Sequence, residues 1–192
     1  NRPVTAQDLF GIGSTSKMFV AAAVMQLHEK GLIDINTPLT AYIPEFKMAD
    51  PRYTQITPRM LLNHSSGIYG TGNANVSLFD DANTQYKDAL LSKLAVQNLS
   101  GAPGQKSEYC NDAFTLLEVM IQRVSGESFT QYIAQHFCVP LGLVNTKTPL
   151  DDFDKDKRLV RTYLAGREPA LPNETLGAIG SGGIYSTAED LC

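Results

Sequence analysis

From Ser14 to Lys30 the chain carries a run whose apolar residues leave almost no polar face, and nothing else in the sequence restricts the fold as strongly. Phe19, Val20, Ala21, Ala22, Ala23, Val24, Met25 and Leu27 follow with helical spacing. The stretch therefore predicts a helix that is central and buried. Gly31 stands where such a helix stops.

The remaining punctuation predicts a mainly helical chain. Thr37-Pro38 leads into a short helix over 39–43, closed before Pro44. Thr57 is an N-cap with Pro58 in the first helical position, opening 59–63, and Ser65-Ser66-Gly67 ends that helix. Residues 68–83 are polar and turn-rich and read as a surface loop. A helix is expected over 85–99, and Pro103-Gly104 breaks the chain after it. A second buried helix runs over 112–124 and stops at Gly126. Ser128 caps a helix to about Cys138, which Pro140 is expected to terminate. A charged loop (151–161), one strand near 159–165 and a glycine cluster at 180–183 follow. Thr187 and Asp190 have the spacing of a capping box, announcing a helix for which no residues remain. The chain also opens Asn1-Arg2-Pro3 without Met. The expectation is a single domain over 1–192 that is one piece of a longer protein.

Composition narrows the function. With 43% apolar and 19% charged residues in 192, the chain suits a globule with a sizeable core. A net charge of -4 gives no electrostatic reason to bind nucleic acid or an anionic membrane surface. No run of about 18 apolar residues is present, which excludes a transmembrane segment in this chain. Cys110, Cys138 and Cys192 have no regular spacing, and His28, His64 and His136 stand singly. Neither a disulfide framework nor a zinc site is expected.

The chemistry is concentrated in two short strings. Ser14-Thr15-Ser16-Lys17 puts a serine and a lysine one turn apart on one helical face. A serine hydroxyl is a weak nucleophile until a neighbouring base takes its proton. An amine one turn along can do so where burial and the positive end of a helix disfavour its charge. The helix start also aims backbone N–H groups at the reacting centre. Tyr109-Cys110-Asn111 is the second string. In an extended stretch residues 109 and 111 face the same way, so a phenol and a carboxamide share one cleft. Taken alone, Asn111 reads as the cap of the following helix, and the pair gains its meaning only beside the serine–lysine string.

Five strings then stand in a telling order: Phe10-Gly-Ile-Gly-Ser-Thr-Ser-Lys17, Leu61-Leu-Asn-His-Ser-Ser-Gly67, Pro103-Gly104 through Tyr109-Cys-Asn111, Pro140-Leu-Gly-Leu143, and Gly182-Gly-Ile-Tyr-Ser-Thr-Ala-Glu-Asp-Leu191. From about Phe10 to Leu191 the chain resembles the serine β-lactamase and penicillin-binding-protein family of the class C type. That family includes D-alanyl-D-alanine carboxypeptidases and related esterases. The resemblance implies the helical domain of the β-lactamase/transpeptidase-like fold, with most of its α/β sheet domain missing from this chain. It implies that Ser14 is acylated, that Lys17 accepts its proton, and that Tyr109 serves the leaving group and the deacylating water. Asn111 is implied to contact the substrate amide and the lysine. The implied partner is a small molecule or peptide, a β-lactam or a D-Ala-D-Ala peptide, with no metal or other cofactor. A location outside the cytoplasm (periplasmic, secreted or membrane-anchored) is implied by the family alone. The sequence assigns no oligomeric state. His64-Ser65-Ser66-Gly67 reads as a structural turn and Gly182-Gly183 as a place of close backbone packing.

One departure matters. The family's third motif, Lys or His followed by Ser/Thr and Gly, is absent, and Lys147-Thr148-Pro149 is the nearest string. The stretch is therefore expected to turn over substrate poorly by itself. Other catalytic designs fit less well: no serine stands in a G-x-S-x-G elbow, and Ser16 occupies the place where a Walker A loop needs glycine. An esterase of the same fold and a non-catalytic penicillin-sensing module remain as alternatives.

Overall fold

The computed structural model describes residues 3–70, 77–79, 86–149, 158–161, 163 and 174–192. Helices dominate: α1 (Lys17–Glu29), α2 (Pro58–Leu62), α3 (Tyr86–Leu94), α4 (Asn111–Ser125), α5 (Phe129–Ile133), α6 (Val139–Leu141) and α7 (Ala188–Leu191). Two small antiparallel ribbons accompany them among the described residues. One pairs β1 (Phe10–Gly11) with β4 (Tyr185–Ser186), the other β2 (Ser77–Phe79) with β3 (Glu174–Leu176). The mainly helical expectation holds. No helix among the described residues is long and apolar enough to cross a membrane.

Two helices make the centre. α1 buries Phe19, Val20, Ala23, Val24 and Leu27 against α4, where every residue from Asp112 to Ile121 is buried. α1 is less enclosed than its composition predicts, because Met18 and Met25 are exposed. Alanine and methionine make little distinction between a core and a solvent face, so an apolar run overstates burial. Around the pair, the segment after α1 contributes Ile33, Ile35, Leu39, Ile43 and Phe46 to the same core. α3 is tied to α4 by two ion pairs, Lys87–Glu118 at 3.1 Å and Lys93–Asp112 at 3.0 Å.

Local signals account for most helix ends. The Thr57 hydroxyl accepts from the Met60 amide with Pro58 behind it. Ser128 and Gln131 form a reciprocal capping box at α5. Gly31 and Gly126 follow the last turns of α1 and α4. Pro140 behaves otherwise: the helix does not stop before it but continues through a wide turn (Ala134–Cys138) into α6. There the Val139 amide reaches back five residues to the Ala134 carbonyl. That register relieves the clash a proline makes with a tighter helix.

The loop expected over 68–83 contains β2, paired with β3 from the far end of the chain. The loop's residues 71–76 and 80–83 lie outside the described residues, as do 151–157 of the charged loop. Of the strand expected near 159–165, residues 162, 164 and 165 lie outside them too, and Leu159 makes a single parallel bridge to Leu9.

Gly67 locks the turn after α2 to the loop that precedes Tyr109. Its backbone has φ 78°, and a Cβ there would lie 2.5 Å from the Gly101 carbonyl oxygen. The Gly67 carbonyl in turn accepts from the Ser100 amide at 2.8 Å. Gly67→Ala is therefore expected to destabilise the fold by about 1–3 kcal/mol, because strain and backbone collision act together. Equilibrium urea unfolding of the two proteins checks this.

Candidate active site

Ser14 sits in a tight turn, Gly13–Ser16, immediately before α1, rather than in the α-helix itself. With three residues per turn such a segment eclipses positions i and i+3. The result is direct contact: the Lys17 ammonium donates to Ser14 Oγ at 3.1 Å. On its other side Ser14 Oγ lies 2.7 Å from the Tyr109 hydroxyl. Both Ser14 and Tyr109 are exposed, while Lys17 is buried.

Lys17 is held from several directions. Its ammonium also donates a short hydrogen bond to the Ser181 carbonyl. It lies 5.0 Å from the centroid of the Tyr109 ring and 5.4 Å from that of Phe114. Charge over an aromatic face replaces part of the lost hydration. Ser181 belongs to a wide turn, Ile179–Gly183, that packs on the Gly13–Ser16 turn and on α4. Gly183 lets the same turn lie against β3, since a Cβ would lie 2.8 Å from the Leu176 carbonyl oxygen. The Ile184 amide donates to Ser16 Oγ at 3.1 Å, and the Ile12 amide to the Ile184 carbonyl at 2.9 Å.

Asn111 opens α4, but it is not the cap. Cys110 occupies that position with extended backbone and makes no side-chain capping bond. Asn111 Oδ1 is buried and has no hydrogen-bond partner among the described residues. The structure thus brings Ser14, Lys17 and Tyr109 into contact and leaves Asn111 two residues along with an open acceptor. Three further groups at the site had no catalytic reading from sequence. The Ser181 carbonyl is backbone and has no residue signature. Phe114 was visible only as a core position of a buried helix. The His64 ring packs on Tyr109 with centroids 4.6 Å apart, although the string that contains it read as a turn.

Two pKa shifts bear on the chemistry. Burial pushes the Tyr109 phenol up, but the Lys17 and Ser14 groups against its oxygen, with the Lys17 charge, outweigh burial and bring it below its ordinary 10.0. Burial raises the adjacent Cys110 thiol to about 11, so it stays protonated and does not compete as a nucleophile. A hydroxyl flanked by an ammonium and by a phenol whose ionised form that ammonium favours can pass its proton to the phenolate and attack an acyl carbon. Beside it, a cavity of about 290 Å3 is lined by Phe10, Gly11, Gly13, Gly182, Gly183 and Tyr185 among others.

Ser14 thus stands in hydrogen-bonding contact with both a buried lysine and an exposed tyrosine. The family model described as Beta-lactamase matches residues 1–192, and the chain belongs to that family. It is 32% identical over 188 residues to the D-alanyl-D-alanine-carboxypeptidase/endopeptidase AmpH of Escherichia coli (strain K12), covering 94% of this chain and 46% of the relative. Among solved structures it is similar to a beta-lactamase/D-alanine carboxypeptidase from Pseudomonas syringae. That comparison gives TM-score 0.81 and 25% identity, over 99% of this chain and 51% of the other. An octameric penicillin-binding protein homologue from Pyrococcus abyssi gives TM-score 0.78 and 28% identity, over 98% and 44%. The chain spans about half the length of the curated relatives it matches.

The Tyr109 shift has a measurable sign. Because its folded value lies below that of an unfolded tyrosine, ionisation of Tyr109 favours the fold. That contribution is complete above the ordinary 10.0 and is lost as pH falls through the folded value. Lys17→Met removes the lysine hydrogen bond and charge, leaves only the Ser14 hydrogen bond against burial, and is expected to move the phenol upward. Near-ultraviolet phenolate absorbance, with Tyr109→Phe as the subtraction, reads both.

Proposed function

We propose that this stretch carries the acylation machinery of a serine hydrolase that acts on β-lactams or on D-Ala-D-Ala cell-wall peptides. The observation that carries the reading is the line Lys17 Nζ, Ser14 Oγ, Tyr109 OH, at 3.1 Å and 2.7 Å. Ser14 Oγ attacks the acyl carbon as its proton passes to Tyr109 in its phenolate form, which the Lys17 ammonium favours. The C–N bond of the lactam or peptide then breaks as Tyr109 protonates the leaving nitrogen. Water, deprotonated by Tyr109, hydrolyses the Ser14 ester and returns the serine its proton. Asn111, with its unpartnered buried Oδ1, is assigned to the substrate amide N–H. No step calls for a metal or another cofactor, since the lysine and tyrosine handle every proton.

On this reading residues 1–192 are one domain, the helical part of a β-lactamase-like protein that also carries a sheet domain. A third motif of the Lys/His-Ser/Thr-Gly kind is absent from the sequence, and relatives about twice as long support the assignment. The stretch alone is expected to acylate slowly and turn over poorly. Compartment follows the substrate: cell-wall peptides lie outside the cytoplasm.

Mass spectrometry after incubation with a penicillin tests the nucleophile. A mass increase of one penicillin on the peptide containing Ser14, absent in Ser14→Ala, is expected. Lys17→Ala and Tyr109→Phe are each expected to slow its formation by about 100-fold or more. No adduct on Ser14 in the wild type overturns the reading. An adduct that persists without turnover in a protein carrying all three motifs turns it toward a penicillin-sensing module, and preferential turnover of simple esters toward an esterase.

A further inference from the structure

His64 is the one residue other than glycine with a positive φ among the described residues, at 60°. A non-glycine residue held in the left-handed region costs free energy and persists where its surroundings impose it. What His64 gains there is a grip on both sides of Tyr109. Its carbonyl accepts from the Glu108 amide at 2.8 Å. Its ring Nδ1 accepts from the Cys110 amide at 3.2 Å. Between those bonds its imidazole face lies against the Tyr109 ring, 4.6 Å between centroids with the planes 40° apart, and 5.2 Å from Phe114. The left-handed backbone is what lets one residue offer carbonyl and ring to the same extended segment.

We propose that His64 is a positioning residue that holds the Tyr109 phenol against Ser14 and Lys17, acting through the Cys110 amide and its own ring. The inference rests on the reading that Tyr109 handles protons for Ser14, and extends it to a residue that touches neither substrate nor the reacting atoms. Acceptance at Nδ1 requires the neutral imidazole with its proton on Nε2. Burial, and then the Lys17 charge, lowers the His64 pKa, which keeps that form through neutral pH. Lys17 and Tyr109 are the titratable groups that face it, while the Cys110 thiol donates to the Gly70 carbonyl. The Glu108 carboxylate is turned to Lys106 and the Ser100 hydroxyl. Protonation at Nδ1 would set a donor against the Cys110 N–H and release the segment.

Two substitutions separate the parts. His64→Gly tolerates the backbone but removes ring and acceptor. His64→Asn tolerates it too, and its side-chain oxygen substitutes for Nδ1. In His64→Gly the Tyr109 phenol is expected to titrate higher than in the wild type, and adduct formation to fall by about 10- to 100-fold. His64→Asn is expected to recover most of both. A folded His64→Gly with unchanged titration and rate overturns the proposal, as does His64→Asn behaving no better than His64→Gly. If His64→Gly fails to fold, His64→Asn decides by itself: a near-wild-type rate supports the amide route, and a rate as low as that of Tyr109→Phe overturns it. The phenolate titration needs no substrate. A wild type that forms no penicillin adduct therefore sinks the functional reading while the titration still decides the role of His64.

Discussion

The buried ammonium of Lys17 is the constraint around which the rest of the molecule is arranged. A cation removed from water is costly unless dipoles and lone pairs take the place of hydration. Here Ser14 Oγ, the Ser181 carbonyl and the faces of Tyr109 and Phe114 take that place. They come from the turn before α1, the turn over 179–183, the extended segment before α4, and α4 itself. Satisfying one charge thus brings together three stretches remote in sequence: 14–17, 109–114 and 179–183.

The turn that presents the Ser181 carbonyl has its own buried anchor. Glu118 of α4 is fully buried, and its Oε2 accepts from the Gly180 amide at 2.8 Å. Burial raises the Glu118 pKa, opposed by Lys87 and by the Gly180 N–H. Hydrogen bonds to a carboxylate are stronger than neutral ones, so the turn is pinned at a point one residue from Ser181. Gly180 fits only without a side chain, since a Cβ would lie 2.8 Å from Val20 and 3.2 Å from Glu118. α4 therefore serves the site along one stripe: Asn111 at its start, Phe114 a turn later against Lys17, Glu118 a turn beyond that.

This arrangement explains which features were legible in the sequence. α1, α4 and the helix starts at Thr57 and Ser128 were visible because periodicity and caps are local. The serine, lysine and tyrosine were visible because their chemistry resides in side chains at fixed short spacings. The β2–β3 ribbon was not, because its partners lie far apart in sequence and β2 falls in a stretch of polar turn formers. Pro140 misled because a proline read locally ends a helix, whereas a wider turn upstream gives it room. The Ser181 carbonyl left no trace, since a backbone acceptor can belong to any residue. His64 lay between: its string was visible as a turn, but only the left-handed backbone shows what the turn is for.

The exposure of the three central groups gives the proposed chemistry a direction. Lys17 is 8% exposed and Tyr109 53%, so the fixed positive charge sits on the inner side of Ser14 and the exchangeable proton on the outer. A phenolate formed on Tyr109 is stabilised from within by a charge that solvent screens weakly. The same oxygen meets solvent, where a leaving amine or an incoming water can exchange protons with it. Acylation and deacylation need such a group in turn, first to give a proton and then to take one. Holding that oxygen at hydrogen-bond distance from Ser14 while its ring edge stays open to solvent is a demand on the backbone of residues 108–110, and His64 is the residue that meets it.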